Sequence, residues 1–442
     1  MKKLLLWCIT LRILICAWMI LCNHLVTDYD SSDAVLSGTN STTLDTFARW
    51  DGVYFTDISQ KGYEYEHFHA FFPLYPLTIR AVSTVVPDLG LNIRQKNILI
   101  GVIISNTCII LSIVALYLLT EQLFPHSKSH SNYKNIVCLL FAANPASVFY
   151  SSVYTESIYS TFVLWGMYFY VRSASYLSKD FHKSVATEIT YGLLCALTFS
   201  LATATRGNGI ILCGFFIFHF IKTMSFKLVL PKVLFMLLQC TITISTYVLF
   251  QYYSYQKYCT VGENQNLVPI ITKNASHYSL DIINSQVTDY LQSHHPWCND
   301  RIPHLYANQG FLRYWTTKQI PNFLLAAPMF ILSYTGSISY LIGVLRKYNV
   351  LQLLTLTKTT ATAIQDTKLF VFVCYWLFLT LYCTFFMHVQ VATRFLSHCP
   401  TLYWFVAGLL EKGGLKSGLV QFYFVLYTML GSLLFSNFYP WT

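Results

Sequence analysis

The sequence has 442 residues and a formal net charge of +10, yet only 11% of its residues are charged and 55% are hydrophobic. Soluble domains carry about 25% charged residues, so this chain has too few to cover a water-facing surface. The composition therefore excludes a soluble protein, a disordered chain and a small disulfide scaffold. The basic residues are scattered rather than clustered, which argues against a nucleic-acid partner. The chain is predicted to be a membrane protein.

Apolar stretches of about 20 residues predict roughly eleven membrane-spanning helices. In chain order they lie near residues 4–22, 97–119, 135–153, 157–172, 188–205, 208–222, 233–255, 321–345, 369–387, 395–410 and 418–437. The pattern predicts an all-α polytopic membrane protein with residues 1–442 in a single domain. Lys2 and Lys3 precede the first span, whose apolar stretch is longer than a signal-peptide core, so we expect a retained anchor rather than a cleaved signal.

The distribution of lysine and arginine predicts which side of the membrane each loop faces. Short basic segments at 120–134, 173–187, 222–232, 346–368 and 411–417 are expected in the cytosol by the positive-inside rule. The two long polar segments, 23–96 and 256–320, then lie on the luminal side. Sequons at Asn40 and Asn274 fall in these two segments and predict N-glycosylation there. Cys259 and Cys298 share the second segment and could form a disulfide in an oxidising lumen.

The first luminal segment contains the best candidate for a catalytic acid. It reads Arg49-Trp50-Asp51-Gly52, followed by the aromatic and proline-rich stretch from His67 to Pro76. A carboxylate held against aromatic rings near the membrane surface is suited to a sugar substrate, because rings stack on sugars and raise the pKa of an acid. The open alternative is that these rings form an interfacial aromatic belt and Asp51 caps a helix.

Further polar residues lie where predicted luminal connections meet the membrane, and ionisable residues at such depth are candidates for function. They are Glu156, Arg206, His388, Gln390 and Arg394. The alternative for any one of them is structural, for example a Glu156–Arg206 pair that joins two helices. As a set they suit transfer of a sugar from a lipid-linked phosphate to a hydroxyl. Asp51 would act as general base, and Arg206, Arg394 or His388 would stabilise the departing phosphate.

The sequence carries no motif for a nucleotide, a dinucleotide or a metal ion, so we expect no cofactor and no metal site. Its one Asp-X-Asp string, Asp28-Tyr29-Asp30, lies beside Asp33 in a polar stretch and is interpreted as a solvated linker.

Several segments resemble the GPI mannosyltransferase 2 family. The matching pieces are Arg49–Gly52 with His69–Pro73, Asn144–Phe149 leading to Glu156-Ser157, Ala204–Gly209, Pro296–Cys298, Gly310–Tyr314 with Lys318–Leu324, His388–Phe395 and Asn437–Thr442. They occur in order from residue 49 to residue 442, so the resemblance covers nearly the whole chain.

The resemblance implies a GT-C type glycosyltransferase of the endoplasmic reticulum membrane with its active site in the luminal loops. It implies transfer of the second mannose, in α1,6 linkage and with inversion, from dolichol-phosphate-mannose to the mannosylated glucosaminyl-phosphatidylinositol acceptor. Asp51 matches the family's first-loop acid and is expected to be catalytic. The expected substrate-binding residues are Arg49, Trp50, His69, Glu156, Arg206, His388, Gln390 and Arg394.

Two other classes of function remain open at this point. A lipid or sugar transporter would carry ionisable residues at mid-bilayer depth and repeated halves; neither feature is evident, although Arg12 and Glu188 lie within apolar stretches and are unexplained. A non-catalytic subunit of a larger transferase would not depend on Asp51. The sequence also leaves open whether an accessory subunit is needed.

Overall fold

The fold was analysed in a computed structural model. It describes residues 1–29, 42–64, 66–87, 90–125, 130–174, 185–223, 229–258, 310–348 and 361–441. Asn40, Asn274, Cys259 and Cys298 lie outside these ranges, so the two glycosylation sites and the disulfide stay predictions. Within the ranges the chain forms helices and no strand, which confirms the all-α prediction.

The long helices are numbered in chain order together with the short ones that break them. They are α1 (Lys2–Leu25), α2 (Asp51–Lys61), α3 (Leu74–Val85), α4 (Ile93–Leu123), α5 (His130–Ala142), α6 (Ser147–Ser151), α7 (Glu156–Ser173), α8 (Val185–Thr205), α9 (Cys213–Thr223), α10 (Val229–Tyr258), α11 (Ile320–Leu345), α12 (Ala361–Phe386), α13 (Ala392–Leu396), α14 (Pro400–Lys412) and α15 (Leu415–Ser436). In the described ranges five short 3-10 helices join them, at Thr43–Phe47, Glu66–Ala70, Gly207–Leu212, Thr317–Gln319 and Val389–Val391.

Among the described residues, seven helical segments are long and apolar enough to cross a membrane, which confirms a multi-pass membrane protein. They coincide with seven of the predicted spans, namely those on α1, α4, α8, α10, α11, α12 and α15. The other four predicted spans, 135–153, 157–172, 208–222 and 395–410, fall on shorter or less apolar helices. The number of eleven spans therefore stays a prediction.

The helices pack side by side in two groups that share one apolar core. Helices α4, α7, α8 and α10 pack in sequence, each against the next, while α1 lies against α15 and α11 against α12. Buried hydroxyl groups within the bundle donate to backbone carbonyls or to one another. Tyr75, for example, donates to the Gly101 carbonyl oxygen at 3.0 Å and lies 2.8 Å from the Ser105 Oγ. Such bonds satisfy polar groups that lipid could not satisfy.

The two ionisable residues that the sequence left unexplained have partners inside the bundle. Arg12 on α1 is 3% exposed and donates from Nη1 to the Ala142 carbonyl oxygen at 3.1 Å and from Nη2 to the Ser147 carbonyl oxygen at 3.0 Å. It thereby caps the break between α5 and α6. Glu188 on α8 pairs with His219 on α9 at 3.0 Å. Both residues therefore have a structural role, because each of them joins helices of the bundle.

The bundle has two distinct ends. At one end, Lys134 pairs with Glu121 at 2.6 Å and the Trp404 indole donates to Thr120 Oγ1 at 2.9 Å. This is the end from which the predicted cytosolic segments 120–134 and 411–417 leave the helices. At the opposite end, Arg49 joins the end of α1 to the end of α15 by donating to Asn23 Oδ1 and to the Ser436 carbonyl oxygen. The candidate site lies at this second end.

Candidate active site

Asp51 lies at the start of α2, directly after a residue with an unusual backbone conformation. Trp50 precedes the helix with φ 52° and ψ −122°, which is rare for a residue with a side chain. The Tyr154 hydroxyl holds this turn from both sides: it accepts from the Asp51 backbone N–H at 3.0 Å and donates to the Arg49 carbonyl oxygen at 3.1 Å. Backbone strain of this kind is concentrated at functional sites. The Asp51 side chain is 40% exposed, so a substrate can reach its carboxylate.

Arg394, on the short helix α13, contacts Asp51, although the two residues are 343 positions apart in the sequence. Its Nη1 and Nη2 lie 3.2 and 3.3 Å from Asp51 Oδ2. The guanidinium carbon lies beside two adjacent aromatic rings, 4.4 Å from the ring centroid of Phe149 and 4.9 Å from that of Tyr154. These rings hold the guanidinium plane in place by cation–π contact. Tyr154 therefore positions both members of the Asp51–Arg394 pair.

Glu156, the first residue of α7, links Arg394 to a second arginine. Its Oε1 accepts from Arg394 Nε at 2.8 Å and from Arg206 Nη2 at 2.6 Å. Arg206 follows the last residue of α8 and also donates from Nε to Thr155 Oγ1 at 2.9 Å. The Glu156 side chain is 1% exposed, whereas those of Arg206 and Arg394 are 20% and 15% exposed. A buried carboxylate thus holds two guanidinium groups whose outer edges reach the surface of the site.

The described residues therefore contain a continuous polar group in the order Asp51, Arg394, Glu156 and Arg206. Two of its members begin helices, where the helix dipole stabilises a negative charge. The Glu156–Arg206 pair considered as a structural alternative exists, and it continues into the pair made by Asp51. One half-exposed acid beside two ordered cations can take a proton from a hydroxyl and bind a phosphate.

A second acid on α2 lies outside this group. Burial raises the pKa of Asp57, and the cations that act on it are Lys61 and Arg94. One helical turn beyond Asp51, burial also raises the pKa of Tyr54, and the negative charge of Asp51 adds to that rise. The Tyr54 ring stacks on Phe71 at 5.0 Å between centroids. The aromatic wall predicted after Asp51 therefore begins on α2 itself.

The described contacts of the remaining predicted residues are made with partners outside the four-residue polar group. Arg49 is fully buried beside Asp51 and contacts Asn23, Asp28 and Ser436. The His69 ring lies 4.7 Å from the Tyr63 ring, in a cluster between α2 and α10.

The polar residues before Arg394 form a separate small cluster. The His388 ring lies 4.4 Å from the Tyr314 ring, and the Tyr314 hydroxyl donates to Gln390 Oε1 at 3.3 Å. Asn322 Nδ2 donates to the same hydroxyl at 2.7 Å. The structure thus brings Asp51, Glu156, Arg206 and Arg394 together and leaves His388, Gln390 and His69 in other clusters. Whether those three bind substrate stays a prediction.

Sequence analysis missed the aromatic residues that order the two arginines. Phe149 and Tyr154 hold Arg394, and Tyr159 lies under Arg206 with its ring centroid 5.8 Å from the guanidinium carbon. Asn208 supports Tyr159 by donating to its hydroxyl at 3.0 Å. The signal that could have indicated the three aromatic residues was their proximity to Glu156 in the sequence.

A metal-binding cluster is not found in the described part of the chain, where no group of three or more histidine, cysteine, aspartate or glutamate side chains has suitable geometry. The Asp51 group itself contains as many arginines as acids, and this would disfavour a divalent cation.

Comparisons with known proteins show the family to which the chain belongs. The family model for Mannosyltransferase (PIG-V) matches residues 1–442. GPI mannosyltransferase 2 of Drosophila melanogaster is 30% identical over 417 residues, covering 89% of this chain and 86% of its own length. GPI alpha-1,6-mannosyltransferase 2 of Homo sapiens is 28% identical, covering 90% and 88%. GPI mannosyltransferase 2 of Saccharomyces cerevisiae is 28% identical, covering 82% and 76%.

Among solved structures, the apo crystal structure of the Archaeoglobus fulgidus oligosaccharyltransferase is similar over 98% of this chain and 55% of that one, with 12% identity and a TM-score of 0.48. The family match spans residues 1–442. The chain belongs to the PIG-V mannosyltransferase family.

Proposed function

We propose that this protein transfers the second mannose, in α1,6 linkage, from dolichol-phosphate-mannose to the glycosylphosphatidylinositol precursor. The names of the human, fly and yeast relatives support the acceptor pathway, and that of the human relative supports the linkage. The observation that carries the proposal is the pairing of a half-exposed Asp51 with Arg394, which a buried Glu156 joins to Arg206. This arrangement provides a base at one end and a cation at the other, with an ordered ion-pair network between them.

In the proposed reaction the acceptor hydroxyl oxygen attacks the anomeric carbon as the carbon–oxygen bond to the phosphate breaks. Asp51 takes the hydroxyl proton, and the electron pair of the broken bond leaves with the dolichol phosphate. A single displacement of this kind inverts the anomeric carbon. Arg206 stabilises the charge that develops on the phosphate, as positioned cations do in phosphate chemistry.

Arg394 has a different part in this scheme because it contacts Asp51 directly in the ligand-free protein. In this contact both Nη atoms of Arg394 donate to Asp51 Oδ2, so this carboxylate oxygen is already engaged and is less free to accept a proton from an incoming hydroxyl. The donor phosphate competes with Asp51 for Arg394, and its binding weakens the Asp51–Arg394 contact. Donor binding thus makes the base available only when a sugar is in place.

We further propose that the site faces the lumen of the endoplasmic reticulum. The site lies at the bundle end opposite the basic segments 120–134 and 411–417, which the positive-inside rule assigns to the cytosol. A lipid-linked donor and a glycolipid acceptor both meet the protein at the membrane surface. Asp51 belongs to the predicted luminal segment 23–96, which would lie at that surface.

The test uses membranes from cells that lack the endogenous enzyme and express this chain. Labelled dolichol-phosphate-mannose and a one-mannose acceptor should give a two-mannose product. Asp51→Asn should lower the rate by about 10²- to 10⁴-fold, the range of a lost general base, while the protein folds normally. Asp57→Asn, on the same helix but outside the polar group, is the matched control and should retain most activity. An active Asp51→Asn protein would contradict the catalytic assignment.

A further inference from the structure

The catalytic turn is the segment Arg49–Asp51. Its first residue, Arg49, contacts the end of α15 and the residues that follow α15. Its side chain is fully buried, and its Nε donates to the Ser436 carbonyl oxygen at 3.2 Å. Its Nη2 donates to Asn23 Oδ1 at 2.9 Å and lies 3.2 Å from Asp28 Oδ2. The guanidinium carbon lies 4.3 Å from the ring centroid of Phe438. Arg49 is therefore held by α1, by the end of α15 and by an aromatic ring beyond α15.

Phe438 also supports the next residue along the catalytic turn. Its ring packs edge-on against the Trp50 indole, with centroids 5.9 Å apart and the planes at 62°. Phe438 is 2% exposed, whereas Trp50 is 39% exposed, so Phe438 forms the inner layer and Trp50 the outer one. Of the three residues other than glycine with positive φ in the described ranges, two are Trp50 at 52° and Phe438 at 58°. Two strained residues thus support each other at one contact.

The segment that follows α15 is itself fixed to the bundle. Asn437 is buried and donates from Nδ2 to the Leu433 carbonyl oxygen at 2.8 Å. Its own carbonyl oxygen accepts from the Tyr29 backbone N–H at 2.8 Å. The Trp441 ring lies 5.3 Å from the Tyr427 ring on α15. Phe438 is therefore presented to Arg49 and Trp50 from a backbone with fixed ends.

We propose that Phe438, the second residue after α15, positions the catalytic turn. This inference rests on the proposed function, because it concerns the placement of Asp51. The Phe438 ring contacts the Arg49 guanidinium and the Trp50 indole, and the Tyr154 hydroxyl is hydrogen-bonded to the backbone of the same turn. Removal of the Phe438 ring frees the turn to relax toward an ordinary backbone conformation and moves the Asp51 carboxylate. Small displacements of a catalytic group lower turnover strongly.

The decisive variant is Phe438→Ala, which removes the ring but keeps a Cβ and therefore the same preference against positive φ. Turnover per folded molecule should fall at least about tenfold, while the KM for the donor changes by less than about twofold because Phe438 does not contact Arg206 or Arg394. Phe438→Tyr keeps the aromatic ring, so its turnover should stay close to that of the wild type. Tyr439→Ala removes the neighbouring aromatic ring, which contacts Tyr29 instead of the catalytic turn, and should retain turnover.

A second measurement does not depend on activity. Amide hydrogen exchange in detergent-purified protein should be faster for a peptide covering residues 49–55 in Phe438→Ala, and unchanged there in Tyr439→Ala. The affected amides include Gly52 and Val53, which donate to the carbonyl oxygens of Arg49 and Trp50 at 2.9 and 3.1 Å.

The outcomes separate this inference from the proposed function. Phe438→Ala with wild-type turnover per folded molecule and wild-type exchange at 49–55 would overturn the positioning role, and so would an equal loss in Tyr439→Ala. If Phe438→Ala does not fold, Phe438→Leu decides in the same way, since leucine fills the buried site without an aromatic face for Arg49. A wild-type protein that makes no two-mannose product, combined with faster exchange in Phe438→Ala, would refute the proposed function and leave the positioning role standing.

Discussion

Glu156 provides the most direct test of how the two arginines are held. Its Oε1 accepts both arginine bonds, and its buried Oε2 has no hydrogen-bond partner among the described residues. In Glu156→Gln the amide oxygen can therefore keep both bonds while the NH2 group takes the place of the unpartnered oxygen. The variant removes the negative charge and little else. The group of two acids and two arginines, neutral in the wild type, becomes positively charged.

The size of the effect follows from the lost negative charge. In Glu156→Gln each guanidinium group can keep its hydrogen bond but loses the Coulomb attraction of the carboxylate, which is about 1 kcal/mol for unit charges 4 Å apart even in water. The two arginines together therefore lose about 2 kcal/mol. Since 1.4 kcal/mol corresponds to a factor of ten in rate, kcat/KM for the donor should fall by about 30-fold. The measurement is the initial rate of two-mannose product formation at several donor concentrations.

Two further variants complete this experiment. Glu156→Ala also removes the hydrogen bonds and leaves two partly buried cations without their carboxylate, so it should destabilise the fold by about 3–5 kcal/mol and reduce the folded yield. Glu121→Gln is the matched control, because Glu121 is 51% exposed and pairs with Lys134 at the opposite end of the bundle, where an exposed pair contributes about 0–1 kcal/mol. If Glu156→Gln kept wild-type kcat/KM, the charge of Glu156 would have no part in holding the arginines for transfer.

Two other substitutions test the scaffold around the site. Gly209→Ala places a Cβ 2.6 Å from the Thr203 Cα, so the backbone after Arg206 must shift. Product formation should therefore fall about tenfold or more. The control is Gly214→Ala, whose added Cβ meets no atom within 4 Å and which should be neutral in the same assay. Arg12→Met removes a buried cation that caps carbonyl oxygens at the α5–α6 break, and we expect a loss of about 1–3 kcal/mol. A lower detergent-solubilised melting temperature would show this, and an unchanged one would contradict the capping role.

The fold could be predicted from the sequence where hydrophobicity alone determines the structure. Spans such as those on α4 and α10 are long and uniformly apolar, and the structure places helices there. The spans near 135–153 and 395–410 were harder to predict because the structure divides each of them into two helices. Asn144-Pro145 separates α5 from α6, and Pro400 begins α14 after the short helix α13. Such breaks depend on partners elsewhere in the chain, as the contact of Arg12 with the Ala142 carbonyl oxygen shows.

The members of the site could be predicted individually, but their arrangement could not. Asp51, Glu156, Arg206 and Arg394 are recognisable because a charged residue beside an apolar stretch is costly and needs a reason. Their order in the ion-pair network depends on contacts between residues as much as 343 positions apart. No local pattern in the sequence distinguishes Arg394, which contacts Asp51, from His388 six positions earlier, whose ring contacts Tyr314.

Arg49 shows what the structure adds to residue type, and its role in substrate binding stays a prediction. The sequence places it two positions before Asp51, and a cation there suggests a contact with substrate. The structure buries it completely, since α1 and the end of α15 both close over the same turn. A buried cation with Asp28, Asn23 and a carbonyl oxygen around it stabilises the local fold, and the strain at Trp50 is maintained by that rigid support. The same buried contacts that cover Arg49 support the turn from which Asp51, two positions later, is partly exposed.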